Sequence, residues 1–185
     1  MPESSVAGVS QAEWSQRWWQ WASAFPRDES PVSDRSGARC AAGQSGQVWF
    51  LAGAFGSAKV QRRCTVPQGK YIFFPLVNII VHPTRGMSIP CDAAIEAAGV
   101  MMDEPDILVA DLDGEAFEGL ARHRQKSPGC FDLAARAATN LEIYPSASDG
   151  YYLMLRPLKP GSHSLHFGGQ VQSLKQAISY ELTVE

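Results

Sequence analysis

Residues 177–184 read AISYELTV, and their pattern decides how the rest of the chain is read. Ile178, Tyr180, Leu182 and Val184 alternate with Ser179, Glu181 and Thr183. A period of two belongs to a β-strand with one buried and one wet face. The same reading extends backward through SHSLHFGG (162–169), a KPG turn (159–161) and YYLMLRPL (151–158). Further back, DILVADLDG (106–114) ends in Asp113-Gly114, a hairpin signal. EAFEGLARHRQKSP (115–128) reads as a strand followed by loop, and 129–150 as largely irregular with a short strand possible at each end. QVWFLAGAF (47–55), GSA (56–58) and KVQRRCTV (59–66) read as a hairpin. YIFFPLVNIIV (71–81) is a buried strand pair or one long bent strand, with Pro75 at a bulge or edge.

Two segments break this period. In AEWSQRWWQWASAFP (12–26), Trp14, Trp18 and Trp21 recur at helical spacing, Phe25 continues their face and Pro26 stops it. Ser10 and Glu13 form a capping box, and Val9 and Trp14 stand where a hydrophobic staple would. The stripe predicts Trp14, Trp18 and Trp21 packed on a sheet, with Trp19 pointing elsewhere as an exposed aromatic. CDAAIEAAGVMMDE (91–104) is the second helical segment, begun near Pro90 and Asp92 and ended by Pro105. The expected fold is mainly β: one antiparallel β-sandwich domain of jelly-roll type over 1–185. Within it, 1–9 form a flexible N-terminus, 10–26 a docked helix, 27–46 a polar loop, and 47–185 the sandwich with a helical insertion near 90–104.

Composition removes several function classes. The 185 residues carry a formal net charge of −3 and no basic stripe, which argues against a nucleic-acid partner. The longest nearly apolar run, 71–81, is interrupted by Pro75 and Asn78, too short for a membrane-inserted helix. MPESSVAGV (1–9) has none of the basic and apolar regions of a secretory signal. The chain is therefore either cytoplasmic, if Met1 is its native start, or the mature part of an exported protein. The four cysteines, Cys40, Cys64, Cys91 and Cys130, form no CxxC pair. Their even number permits two bridges, with Cys40–Cys64 and Cys91–Cys130 the favoured pairing, or four reduced thiols.

No signature of a nucleophile elbow, phosphate loop, zinc protease or dinucleotide site is present, and no cofactor is expected. His163 and His166 are three apart on a strand and face opposite sides, so they cannot share a metal locally, and none is expected. The candidate ligand-binding residues are Trp19, Asn78, His82, His123, Arg124 and Tyr152. Asn78 interrupts an apolar strand and shares parity with His82. Arg122, Arg124 and Lys126 alternate onto one face with His123 between them. That face could clamp a carboxylate or glycan, or pair with Asp111, Asp113, Glu115 and Glu118. Trp49, Tyr151 and Tyr152 are strand aromatics that suit sugar stacking or covering by the N-terminal helix.

Taken together, WWQWA (18–22), CAAGQSGQVWFLAGAF (40–55), CTVPQGKYIFFPLVN (64–78), DGYYLMLRPLKPGSHSLHFGG (149–169) and SYELTV (179–184) resemble a family of small bacterial proteins, often exported and without an established activity. The resemblance spans most of the chain, with 83–106 the least similar part. It implies a single β-rich domain and export, and places no catalytic role on any residue. The function expected is an extracytoplasmic binding or accessory protein for a glycan or small polar ligand, as monomer or homo-oligomer. The alternatives are a small enzyme (hydrolase, lyase or cyclase) with a pocket between the sheets or under the helix, and a structural subunit.

Overall fold

The computed structural model describes residues 4–54 and 59–185, so the GSA turn expected at 56–58 lies outside the described residues. Helix α1 is Gln11–Ala22. Ser10 caps it by accepting a hydrogen bond from the Glu13 amide at 3.2 Å. The reciprocal half of the capping box is not made, because the Glu13 carboxylate turns to Arg17 one helical turn on. Residues 4–9, expected to be flexible, fold into a turn at Val6 and Val9 and bury Val6 against α1.

The strands are β1 Val48–Phe50, β2 Lys59–Val66, β3 Tyr71–Val81, β4 Ile107–Leu112, β5 Glu115–Ala116, β6 Arg124–Lys126, β7 Ala147–Leu155, β8 Gly161–Val171 and β9 Leu174–Val184. They make two sheets, ordered β1-β3-β7-β6 and β2-β9-β8-β4-β5. The antiparallel expectation is corrected at two pairs: β1 runs parallel to β3, and β2 parallel to β9. The hairpin expected between β1 and β2 is corrected with them. The chain leaves the first sheet after β1, forms β2 in the second, and returns as β3. Alternation alone reads the same for a turn within a sheet and a crossing between sheets. Both sheets are therefore mixed.

The sheets meet face to face across a core that includes Phe74 of β3 and Phe167 of β8, their rings 4.4 Å apart. The other face of the first sheet is covered by α1. Val48, Phe50, Phe73 and Tyr152 point toward the helix, while Trp49, Ile72, Phe74 and Tyr151 point toward the second sheet. Burial on both faces explains why β1, β3 and the 151–155 half of β7 read as continuous apolar runs, whereas β2 and β9, wet on one side, alternate.

Each tryptophan of the α1 stripe also ties down a different segment. The Trp14 indole N–H donates to the Val6 carbonyl at 3.0 Å, that of Trp18 to Leu51 at 2.9 Å and that of Trp21 to Ala42 at 2.8 Å. An indole brings a large apolar surface and one polar atom that needs a partner. The stripe thus fastens the N-terminal turn, the exit of β1 and the long loop 27–46 in one layer.

Two disulfides are formed, Cys40–Cys64 and Cys91–Cys130, the pairing favoured from the sequence. The first joins the 27–46 loop to β2. The second joins helix α2, Cys91–Met101, to the segment after β6. Structural disulfides persist in oxidising compartments. Among the described residues no helix is long and apolar enough to cross a membrane.

The largest feature hidden from the sequence analysis is Arg62, 1% exposed in the middle of β2. It shares the inward parity of Val60, Cys64 and Val66. Among the described residues no carboxylate forms an ion pair with it. Its guanidinium donates instead to the carbonyls of Val32, Asp34, Ala52 and Gly53 and to the Tyr180 hydroxyl. It lies 5.6 Å from the centre of the Tyr180 ring. One buried cation thereby organises the backbone of two irregular segments.

Candidate functional site

A cleft of about 450 Å³ opens beside the C-terminal half of α1. Trp18, Trp19, Val32, Val77, Ile79 and Leu174 supply apolar walls, and Asn78, Ser173, Lys175 and Gln176 are its polar side chains. Three elements meet here because β3 changes parity. Its register against β7 shifts between Pro75 and Val77. Without that bulge Asn78 would share the inner face with Phe74. With it, Asn78 stands opposite Gly150 on the helix side. Gly150 is required there, since a Cβ on it would lie 2.5 Å from the Asn78 Cβ.

The Asn78 carboxamide donates to the Tyr152 hydroxyl at 3.0 Å. Tyr152 is fully buried, stacked on Phe73 at 5.2 Å and edge-on to Trp18 at 6.4 Å. Burial holds its phenol well above the ordinary tyrosine range, so it stays neutral and cannot serve as a base. The Trp19 indole N–H sits beside the same hydroxyl, outside hydrogen-bonding geometry, and finds no other partner. Gln176 is structural: its amide donates to the Pro75 and Leu76 carbonyls and accepts from the Ala54 N–H, which holds the bulge to β9. The cleft therefore has a rigid floor, and Lys175 lines it without an ion pair among the described residues.

Of the residues singled out from the sequence, Trp19, Asn78 and Tyr152 come together here, and the expectation for Trp19 needs correction. Trp19 is not an exposed aromatic; it is 8% exposed and packs edge-on against Trp18 at 5.1 Å. Of the two uses left open for Tyr152, sugar stacking and covering by the N-terminal helix, the structure has the second. Trp49 and Tyr151, the other strand aromatics, are buried between the sheets.

His82 does not reach Asn78. It lies beyond the end of β3, exposed, with its Nδ1 against the Pro83 carbonyl. His123 and Arg124 belong to another place. Leu120–His123 form a 3-10 turn, so Arg122 leaves the alternating face expected for Arg122, Arg124 and Lys126. Burial, reinforced by Arg122, lowers the His123 pKa, and its Nδ1 is buried without a partner.

Arg124 and Lys126 share a face, but their partner is distant in sequence. Arg124 binds the fully buried Asp149 with both Nε and Nη2, reaches Asp103 at 2.7 Å and donates to the Gly99 carbonyl at the end of α2. Lys126 stands 3.8 Å from Asp149. Burial raises the Asp149 pKa against the pull of Arg124 and Lys126. The arginine is thus committed to fastening α2, and the acids nearer in sequence are not its partners.

One of those acids, Asp113, has a different role. Its turn with Gly114 holds φ of 55° and 83°, and its carboxylate bonds His163 at 2.7 Å. The other ring nitrogen of His163 faces the Lys159 carbonyl, so both ring nitrogens donate and the ring is charged. Asp113 raises the His163 pKa from its ordinary 6.5, and His163 lowers that of Asp113 from 3.8. The histidine's contribution is complete below its unfolded pKa and is lost as pH rises through the raised value. That of the aspartate is lost as pH falls through its depressed value. His163→Gln is therefore expected to be about 0.5 kcal/mol less stable than the parent near pH 5.5, with the gap closing by about pH 8. Urea titrations at the two pH values check this.

Among the described residues no group of three or more histidine, cysteine or acidic side chains is placed to hold a metal. Compared with known proteins, the chain matches no family model, no curated protein and no solved structure.

Proposed function

We propose that this protein is an extracytoplasmic binding protein whose site is the cleft beside Trp19, and that its ligand is a small molecule with an apolar body. The observation that carries the reading is the lining. Tryptophan, valine, isoleucine and leucine side chains surround a few placed polar groups on a rigid floor, as in small-molecule sites. A glycan would need more free hydrogen-bonding groups than Asn78, Ser173 and Lys175 supply, so the small ligand is preferred to the glycan. The enzyme reading receives less support, since Asn78, His82, His123 and Arg124 do not share a cavity. Two disulfides support export, as does the resemblance to small exported bacterial proteins. The body carrying the site is read as a jelly-roll variant with mixed sheets.

Screening small fragments by amide chemical-shift mapping tests the site. Binders are expected to move Gly53, Ala54, Asn78 and Leu174–Gln176 together. Binders that cluster on the outer face of the second sheet instead would refute it.

A further inference from the structure

Among the described residues the cleft carries a single formal charge, and it is positive. We infer that the site takes amphiphilic monoanions, molecules with a compact apolar body and one carboxylate, and that Lys175 is their counter-ion. This rests on reading the cleft as the binding site.

Three observations converge on it. Among the described residues Lys175 is the only charged one lining the cleft, and no aspartate or glutamate joins it. Lys175 is exposed and forms no ion pair among the described residues, so its ammonium is free to meet a ligand's charge. An unpaired ammonium beside low-dielectric walls attracts an anion more strongly than the same charge in open water.

The second observation is the hydrogen-bonding chemistry of the lysine. Its ammonium carries three donors and no acceptor, which suits a carboxylate, an acceptor without protons. A cationic ligand would meet a like charge. The third is the apolar wall of Trp18, Val32, Val77, Ile79 and Leu174, which favours a hydrocarbon body over a polar one.

A head-group series on one body provides the test: octanoate, octanamide and octylammonium, titrated by calorimetry. Octanoate is expected to bind about tenfold more tightly than octanamide, and octylammonium more weakly than both. Lys175→Met should weaken octanoate about five- to tenfold and leave octanamide unchanged, and added salt should weaken octanoate alone. Equal affinity for octanoate and octanamide, or octanoate binding indifferent to Lys175→Met, would overturn the charge assignment while leaving the cleft as a site for neutral ligands. Leu174→Trp, which narrows the cleft, should weaken all three. If none of the three binds, or all bind Leu174→Trp as they bind the parent, the charge assignment and the underlying site reading both fall.

Discussion

Replacing Arg62 by methionine is expected to cost about 3–5 kcal/mol of folding stability and to lower the melting temperature by on the order of 10 °C. Methionine matches the length of the stem but cannot donate. The carbonyls of Val32, Asp34, Ala52 and Gly53 would then lose a charged donor, along with the Tyr180 hydroxyl. A buried acceptor left unpaired costs about 1–3 kcal/mol, and relaxation or an entering water recovers part of the sum. The loss should be largest here because Arg62 joins β2 to two segments with no ladder of their own. Arg63, the next residue, provides the control. It is exposed and pairs with Glu181 on the wet face, so Arg63→Met should change stability by less than about 1 kcal/mol. Denaturant titration of both variants decides the matter. Equal losses would show that the buried guanidinium does not organise the fold.

The second large effect is expected at Trp18. Its side chain is 2% exposed and sits among Trp19, Trp21 and Tyr152. Trp18→Ala removes an indole from a packed seam and leaves the Leu51 carbonyl without its donor. The expected loss is about 3–5 kcal/mol, the range for truncating a large core aromatic. Trp18→Phe keeps most of the packing and should lose roughly half as much. The same truncation should open the cleft, because Trp18 is part of its wall. Stability and ligand affinity should therefore fall together at this residue. At Lys175, outside the core, affinity should fall without stability.

Much of this arrangement is legible in the sequence because it is local. Ser10 and Glu13 mark the start of α1, and Trp14, Trp18 and Trp21 its buried stripe. Asp113-Gly114 marks its turn, and alternation in 177–184 marks the last strand. What stays hidden is non-local. β1 and β2 read as strands in the same way whether the chain turns within a sheet or crosses between sheets, so the parallel pairs are invisible. The parity of Asn78 depends on a bulge stabilised by Gln176, about a hundred residues away in the chain. Arg124 finds Asp149 across β6 and β7 rather than the acids nearer in sequence. Trp19, off the stripe, is buried because the helix packs on more than one side. Arg62 is the instructive case. Its inward parity is plain in KVQRRCTV, but a charge on a buried face is readable only once carbonyls are in place to receive it.

The most direct measurement is the ¹⁹F spectrum of protein carrying 5-fluorotryptophan, recorded with and without octanoate. The chain holds five tryptophans, so five resonances are available. The resonances of Trp18 and Trp19 should move on binding, those of Trp14, Trp21 and Trp49 should stay in place, and none should show the water isotope shift of an exposed ring. Movement confined to Trp14 or Trp49, or a strong isotope shift across the α1 tryptophans, would contradict a helix sealed onto the sheet with the binding cleft at its edge.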